Sequence, residues 1–221
     1  MPRLARLVVP GLPHHVTQRG SRRQTVFFSL EDYRFYLGLL GRHCLEAGTA
    51  IWAWCLMPNH VHLILVPAGP EGLRAPMAST HRRYTRAVNR REGWQGHLWQ
   101  ERFASFPMDE AHLLACARYV ELNPVRAGLA VRPEQWMWSS ARAHLGLGAD
   151  GLTEAGALLG RWPDWRTVLE GGLDPAIRDS IRERELNGHP LGDSAFLARL
   201  AEITSRPLAA RPRGRPRKTG Q

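Results

Sequence analysis

Two short apolar runs, residues 50–57 and 60–66, are separated only by Pro58-Asn59, and this arrangement constrains the fold more than any other feature of the chain. The first run (Ala-Ile-Trp-Ala-Trp-Cys-Leu-Met) is continuously apolar and short, which suits a buried strand. Pro58-Asn59 turns the chain, so the second run (His-Val-His-Leu-Ile-Leu-Val) is expected to pair antiparallel with the first. Within it His60 and His62 alternate with Val61 and Leu63. Side chains alternate along a strand, so both imidazoles share one sheet face while Val61, Leu63 and Leu65 point to the other.

The flanking sequence supplies the remaining elements. Residues 13–19 read as a strand. Ser29 is a helix N-cap, Tyr33, Tyr36, Leu37, Leu40 and Cys44 follow at helical spacing, and Gly48 ends that helix. A helix is expected over 71–91, imperfect near Pro76, a strand over 102–107, and a helix over 109–122 stopped by Pro124. Strand–helix–strand–strand–helix–strand is the order of a split βαβ, ferredoxin-like α+β fold: an antiparallel sheet, with its helices expected on one face. Gly146, Gly148, Gly151 and Gly156 mark looser connections, followed by two short helices near 175–186 and 193–204. Residues 206–221, rich in Arg and Pro, are expected to be disordered without a partner. The expected division is a catalytic domain over 1–145, a helical extension over 146–205 and a basic tail.

Charge narrows the partners. The formal net charge is +10, and Lys218 is the only lysine, so the excess is arginine. Arginine's planar fork suits phosphate, and nucleic acid is the leading partner. A GC-rich genome would explain Arg over Lys but not the excess over acids. No Walker-type nucleotide motif is present, so no nucleoside triphosphate is expected, and energy for joining DNA would come from DNA bonds. No apolar run approaches membrane-spanning length, and the N-terminus makes a poor signal peptide, which implies a cytoplasmic protein. Cys44, Cys55 and Cys116 are scattered through apolar segments and read as core residues.

Two adjacent imidazoles can ligate one divalent cation, although an H-x-H pair is equally a pair of satisfied strand histidines. Tyr119 lies late in the 109–122 helix with Asn123 at i+4, so both can face one side. An amide oxygen can ligate a hard cation. Alternatively Asn123 terminates the helix and Tyr119 is a packing residue. Tyr33, Tyr36 and Tyr84 follow apolar stripes and read as packing residues. A phenol is a poor nucleophile at neutral pH, and a cation on the phosphate compensates by making phosphorus more electrophilic. H-x-H strand, tyrosine helix and basic surface together form a coherent phosphoryl-transfer set.

Met57-Pro58-Asn59-His60-Val61-His62 resembles the His-hydrophobic-His motif of single-tyrosine (HUH) transposases. Leu98-Trp99-Gln100-Glu101-Arg102-Phe103, Arg118-Tyr119-Val120-Glu121-Leu122-Asn123-Pro124-Val125-Arg126-Ala127 and Gln18-Arg19-Gly20-Ser21-Arg22-Arg23-Gln24 resemble the REP-associated tyrosine transposases, although many of that branch carry Asn where Ser21 stands. The resemblance covers most of the chain except 145–172. It implies His60, His62 and Asn123 as ligands for Mg2+ or Mn2+, with Tyr119 as the catalytic nucleophile. It further implies opening of single-stranded DNA near repetitive extragenic palindrome hairpins, through a 5′-phosphotyrosine and a free 3′-hydroxyl. It leans toward a monomer, with a weak homodimer as the alternative.

Arg19, Arg22 and Arg23 are assigned to DNA contacts near the hairpin. Arg82, Arg86 and Arg90 share one helix face, either a phosphate track or a solvated face. Trp99 is either a stacking platform or core. Arg213, Arg215 and Arg217 lie in an AT-hook-like Gly-Arg-Pro segment suited to the minor groove, or in a nonspecific basic tail. The competing functions are a domesticated hairpin-binding protein that never cuts, an HUH replication initiator or relaxase, and a hydrolase that uses activated water.

Overall fold

The computed structural model describes residues 6–208, so the calls on Arg213, Arg215 and Arg217 lie outside the described residues. Four strands, β1 (His14–Arg19), β2 (Thr49–Met57), β3 (His60–Pro67) and β4 (Ala104–Pro107), form one sheet in the order β2-β3-β1-β4. All three pairings are antiparallel. The expected α+β, ferredoxin-like arrangement holds, and the histidine strand β3 lies inside the sheet.

Helix α1 (Leu30–Glu46) starts where Ser29 caps it: the Ser29 hydroxyl accepts from Asp32 N–H while the Asp32 carboxylate accepts from Ser29 N–H. Helix α2 (Arg74–Glu92) carries Pro76 in its first turn, where the missing N–H has no intrahelical partner to lose. Helix α3 (Glu110–Glu121) is capped by Asp109 and leads into a single turn, α4 (Asn123–Arg126), with Pro124 near its start. Pro124 therefore divides two helices rather than ending one.

The helices do not share one face. Tyr36, Leu40, Met77, Tyr84 and Val88 of α1 and α2 pack with Val16, Val61, Leu63 and Leu65. Leu113, Cys116 and Val120 of α3 pack against Ala53, Cys55, Ile64 and Phe106 on the opposite face. The cause is legible in β2: its apolar run points to both sides of the sheet, and a strand apolar on both faces needs cover on both.

After α3 come three short helices, α5 (Ala141–His144), α6 (Gly156–Leu159) and α7 (Trp165–Glu170), and two longer ones, α8 (Pro175–Asn187) and α9 (Ser194–Thr204). Two of the short ones, α5 and α7, are tied to α3 by a buried carboxylate. Glu121 accepts from Ser140 Oγ (2.5 Å), His144 Nδ1 (2.6 Å) and Trp165 Nε1 (2.7 Å). Helix α8 buries Ile181 in the α3-side core, and α9 packs Phe196 and Leu200 on Leu7 and Val9. The three cysteines are free and buried, as expected.

Candidate active site

Strands β1 and β3 run side by side with Thr17 opposite His62 and Arg19 opposite His60. Alternation therefore puts His15, Thr17 and Arg19 on the same face as His60 and His62, the face that α3 covers. The His60 and His62 rings lie 4.8 Å apart and nearly perpendicular, and His15 stacks on His62 at 5.2 Å. The expected histidine pair is thus part of a row of three.

Asn59 orients His60. Its amide nitrogen donates to Arg23 O, so its Oδ1 faces the ring and accepts from His60 Nδ1 at 2.6 Å. The proton is then on Nδ1, and the Nε2 lone pair is available to a ligand. Burial, with the Arg19 guanidinium, pushes His60 down to about 3. Burial lowers His15 to about 3, and burial with the neighbouring His60 and His15 holds His62 well below the ordinary range. All three are neutral at physiological pH, the state in which imidazole binds a cation.

Tyr119 comes to this row from α3. Its ring meets His62 edge-on at 5.3 Å and His15 at 6.0 Å. The Arg126 guanidinium lies 4.5 Å above the ring and donates to Tyr119 O at 2.8 Å. Burial raises the phenol to about 12, and Glu185 adds to the rise, while Arg126 and Arg182 oppose it. Asn123 opens α4 just past the Leu122 junction and is buried.

Glu185, which sequence reasoning did not single out, reaches the same row from α8. Its Oε1 lies 3.6 Å from His62 Nδ1 and 3.9 Å from His15 Nε2. Burial raises its carboxyl to about 7, against the pull of Tyr119, Arg19, Arg182 and Arg126. Among the described residues, His15, His62 and Glu185 are a convergent set of potential metal donors. Neutral imidazoles beside a buried carboxylate suit a divalent cation.

The predicted arginines separate into two places. Arg19 sits at the histidine row. Arg22 and Arg23 are exposed on the adjoining turn, both with positive φ (54° and 61°). Gly20 makes that turn possible, since a Cβ there would come 2.4 Å from Gln24 O. Arg82 and Arg86 lie beyond the other sheet face, in a cleft of about 630 Å3 that also carries Arg6, Arg74, Arg102 and the carboxylate Glu101. Burial, with Arg102 and Arg74 nearby, lowers Arg6 to about 10, as expected where cations crowd. Arg90 is exposed and continues the Arg82–Arg86 face by one turn. Trp99 is core: buried, its ring stacked on His81 at 4.5 Å.

Comparison with known proteins fits this geometry. The chain belongs to the IS200-like transposase family (Y1_Tnp), which matches residues 8–123, from the approach to β1 through Asn123. It is similar in fold to a solved structure described as the REP-associated tyrosine transposase bound to a REP hairpin. The TM-score is 0.57 at 20% identity, over 70% of this chain and 90% of that one. A second solved structure, assigned provisionally as a transposase from Deinococcus radiodurans R1, matches at a TM-score of 0.39 and 23% identity, over 54% of this chain and 95% of that one. No curated protein sequence matches the chain. No described helix is long and apolar enough to cross a membrane.

Proposed function

We propose that this chain is a divalent-cation-dependent endonuclease and strand transferase that acts in the cytoplasm on single-stranded DNA beside repetitive extragenic palindrome hairpins, with Tyr119 as nucleophile. The observation that carries this reading is Tyr119 edge-on to His62 at 5.3 Å, beneath the Arg126 guanidinium. The Tyr119 oxygen attacks phosphorus and the bond from phosphorus to the 3′-oxygen breaks. The phenol loses its proton and the departing 3′-oxygen gains one, leaving a 5′-phosphotyrosine and a 3′-hydroxyl. Later attack by a 3′-hydroxyl reverses the step and joins strands, so no nucleoside triphosphate is consumed. Arg126 and Arg182 favour the phenolate, and with Arg19 they supply positive charge for the phosphate.

His60 and His62, with Asn123 as the family resemblance implies, would hold magnesium or manganese. A cation there polarises the phosphate and stabilises charge in the transition state. The neighbour of similar fold is described as bound to a REP hairpin, which supports hairpin DNA as the partner.

A second reading, a hairpin-binding protein that does not cut, draws on one observation: burial and Glu185 hold the Tyr119 phenol in its protonated form. One assay separates the two. The protein is incubated with a labelled hairpin oligonucleotide carrying an unpaired flank, with Mn2+ or Mg2+, and run on a denaturing gel. A metal-dependent shifted band that disappears in Tyr119→Phe is the expected result. Cleaved DNA without that band indicates a water-using nuclease, and binding without cleavage indicates the non-cutting protein.

A further inference from the structure

Phe27 and Phe28 point in different directions. Phe27 is buried and stacks on Tyr33 at 4.4 Å in the α1/α2-side core. Phe28 is 43% exposed and meets Trp94, 45% exposed, edge to face at 5.7 Å and 78°. A single exposed apolar side chain is ordinary, but two large rings in contact at the surface keep hydrophobic area in water that a small polar residue at either position would remove. Both rings are held in place. Phe28 N–H donates to Asp32 Oδ2 at 2.8 Å, and Arg91, which binds Asp32, lies 5.7 Å from the centre of the Phe28 ring. Gly93 ends α2 at φ 67°, Trp94 N–H donates to Asn89 O at 2.9 Å, and Asn89 Nδ2 donates to Gly96 O at 3.0 Å. Little further ordering is needed when a ligand covers the pair.

The surroundings select the ligand. Three carboxylates lie at these two helix ends and each is matched: Glu31 by Arg34, Asp32 and Glu92 by Arg91. Arg90, in the same last turn of α2, is exposed, as are Arg22 and Arg23. With the carboxylates matched, these three leave the patch in positive surroundings. The chain from Arg23 to Phe28 is laid along the β2–β3 turn. Asn59 Nδ2 donates to Arg23 O, and the Val26 and Phe27 N–H groups donate to Pro58 O. Five residue steps span at most about 18 Å. Phe28 is therefore within that distance of Arg23, whose carbonyl is tied to the neighbour of His60. The Arg82–Arg86–Arg90 stripe approaches the rings from the other side.

We propose that Phe28 and Trp94 form a stacking platform for an unpaired base of the single-stranded DNA beside the hairpin, set between the Arg82–Arg86–Arg90 stripe and the Arg22–Arg23 turn. This rests on the reading of the chain as acting on single-stranded DNA and adds a base-binding subsite to it. An edge-to-face pair leaves a ring face uncovered, and a nucleobase offers the flat surface that fits it. Stacking is tolerant of sequence because every base has such a face, so the platform holds the strand and leaves the choice of bases to other contacts. A folded hairpin stem hides its base faces, which makes the unpaired flank the part of the substrate that can use the platform.

The test is binding of the full chain to the hairpin oligonucleotide of the cleavage assay, with and without its unpaired flank, followed by fluorescence anisotropy in EDTA so that no cleavage intervenes. The unaltered chain is expected to bind the flanked hairpin more tightly. Trp94→Ala is expected to weaken binding of the flanked hairpin about 10-fold, leave the flankless hairpin within about 2-fold, and leave the salt slope unchanged, since no phosphate contact is lost. Phe28→Ala is expected to give a smaller loss of the same kind, and Trp94→Phe to keep most of the affinity. Removing single bases from the flank, with sugar and phosphate retained, is expected to reproduce the loss at one position, where Trp94→Ala then adds nothing further. Both side chains are at the surface, and unchanged Tm establishes that each variant is folded.

Equal affinity of the unaltered chain for the two hairpins overturns the proposal. So does unchanged affinity in Trp94→Ala, or the same loss on both hairpins. Sedimentation that shows the unaltered chain self-associating and Trp94→Ala as a monomer overturns it in favour of a second copy of the chain as the occupant. The underlying functional reading fails separately: a flank-dependent loss in Trp94→Ala, with no covalent adduct in the cleavage assay, leaves the platform standing and removes the chemistry.

Discussion

The two faces of the sheet carry opposite chemistry. On the α3 face, buried imidazoles, a phenol and a carboxylate crowd one another, and three arginines reach them from β1, α4 and α8. On the α1/α2 face, the sheet covers an aromatic and aliphatic core, and the charge lies outside it, as arginines around an open cleft. The first arrangement spends stability on perturbed groups. The second leaves Arg82, Arg86 and Arg90 hydrated, where their charges cost little and act at longer range. Under the proposed function, reactivity lies on one side of the strand layer and the exposed arginines that would attract a polyanion lie on the other.

The sharpest way to break this comparison is Tyr119→Phe. If reactivity resides on the α3 face, covalent adduct formation falls at least about 1,000-fold, while hairpin affinity and Tm stay near the unaltered values. An adduct surviving in this variant, mapped by mass spectrometry to another tyrosine, would remove the α3 face from the chemistry. Next in size is Glu121→Ala. It leaves the Ser140, His144 and Trp165 donors without their shared acceptor and is expected to cost about 3–5 kcal/mol in urea unfolding. Its adduct yield should fall only as the folded fraction falls, since the Glu121 carboxylate is engaged by Ser140, His144 and Trp165, none of which belongs to the histidine row.

Much of the α3 face was legible in the sequence because strand periodicity is local. The apolar runs around Pro58-Asn59 and the alternation of His60 with Val61 define a hairpin and a histidine face without reference to the rest of the chain. His15 was missed because residues 13–19 give a weak strand signal; alternation with the buried Val16 was the available clue. Glu185 was missed because contact between α8 and β3 is a tertiary fact. Its one local trace is a carboxylate in line with the Ile177–Ile181 stripe. The short helices α5, α6 and α7 span barely one or two turns, too little for a helical period to emerge. The placement of helices on both faces could have been read from β2, whose run lacks the polar alternation of a sheet open on one side.

The cleft on the α1/α2 face gives a smaller expected effect. Arg82→Ala combined with Arg86→Ala should weaken hairpin binding about 10-fold at moderate salt, and reduce the slope of log affinity against log salt by about 1.4–1.8, as two lost phosphate contacts require. Folding should be unaffected, because both side chains are exposed. Unchanged affinity and slope would make this stripe a solvated helix face and erase the division between the faces.

The smallest expected effect concerns how the α1/α2 face is held together. Asp32, which caps α1, is also gripped by Arg91 at the end of α2, through Nη1–Oδ1 at 2.5 Å and Nη2–Oδ2 at 3.0 Å. Burial opposes its charge, but the Arg91 bond and the Phe28 and Ser29 N–H groups hold its carboxyl below the ordinary value of 3.8. A carboxyl depressed on folding stabilises the fold above its unfolded pKa, and that contribution is lost as pH falls through the lower, folded value. Asp32→Asn should therefore cost about 1–2 kcal/mol between pH 5 and 8, with the gap closing below about pH 4 as Asp32 itself becomes protonated. Urea unfolding of both chains across that range measures it. A gap that stays constant into acid would mean that the amide fails for reasons of shape rather than charge, and that the Asp32–Arg91 charge pair adds nothing to the joining of α1 and α2.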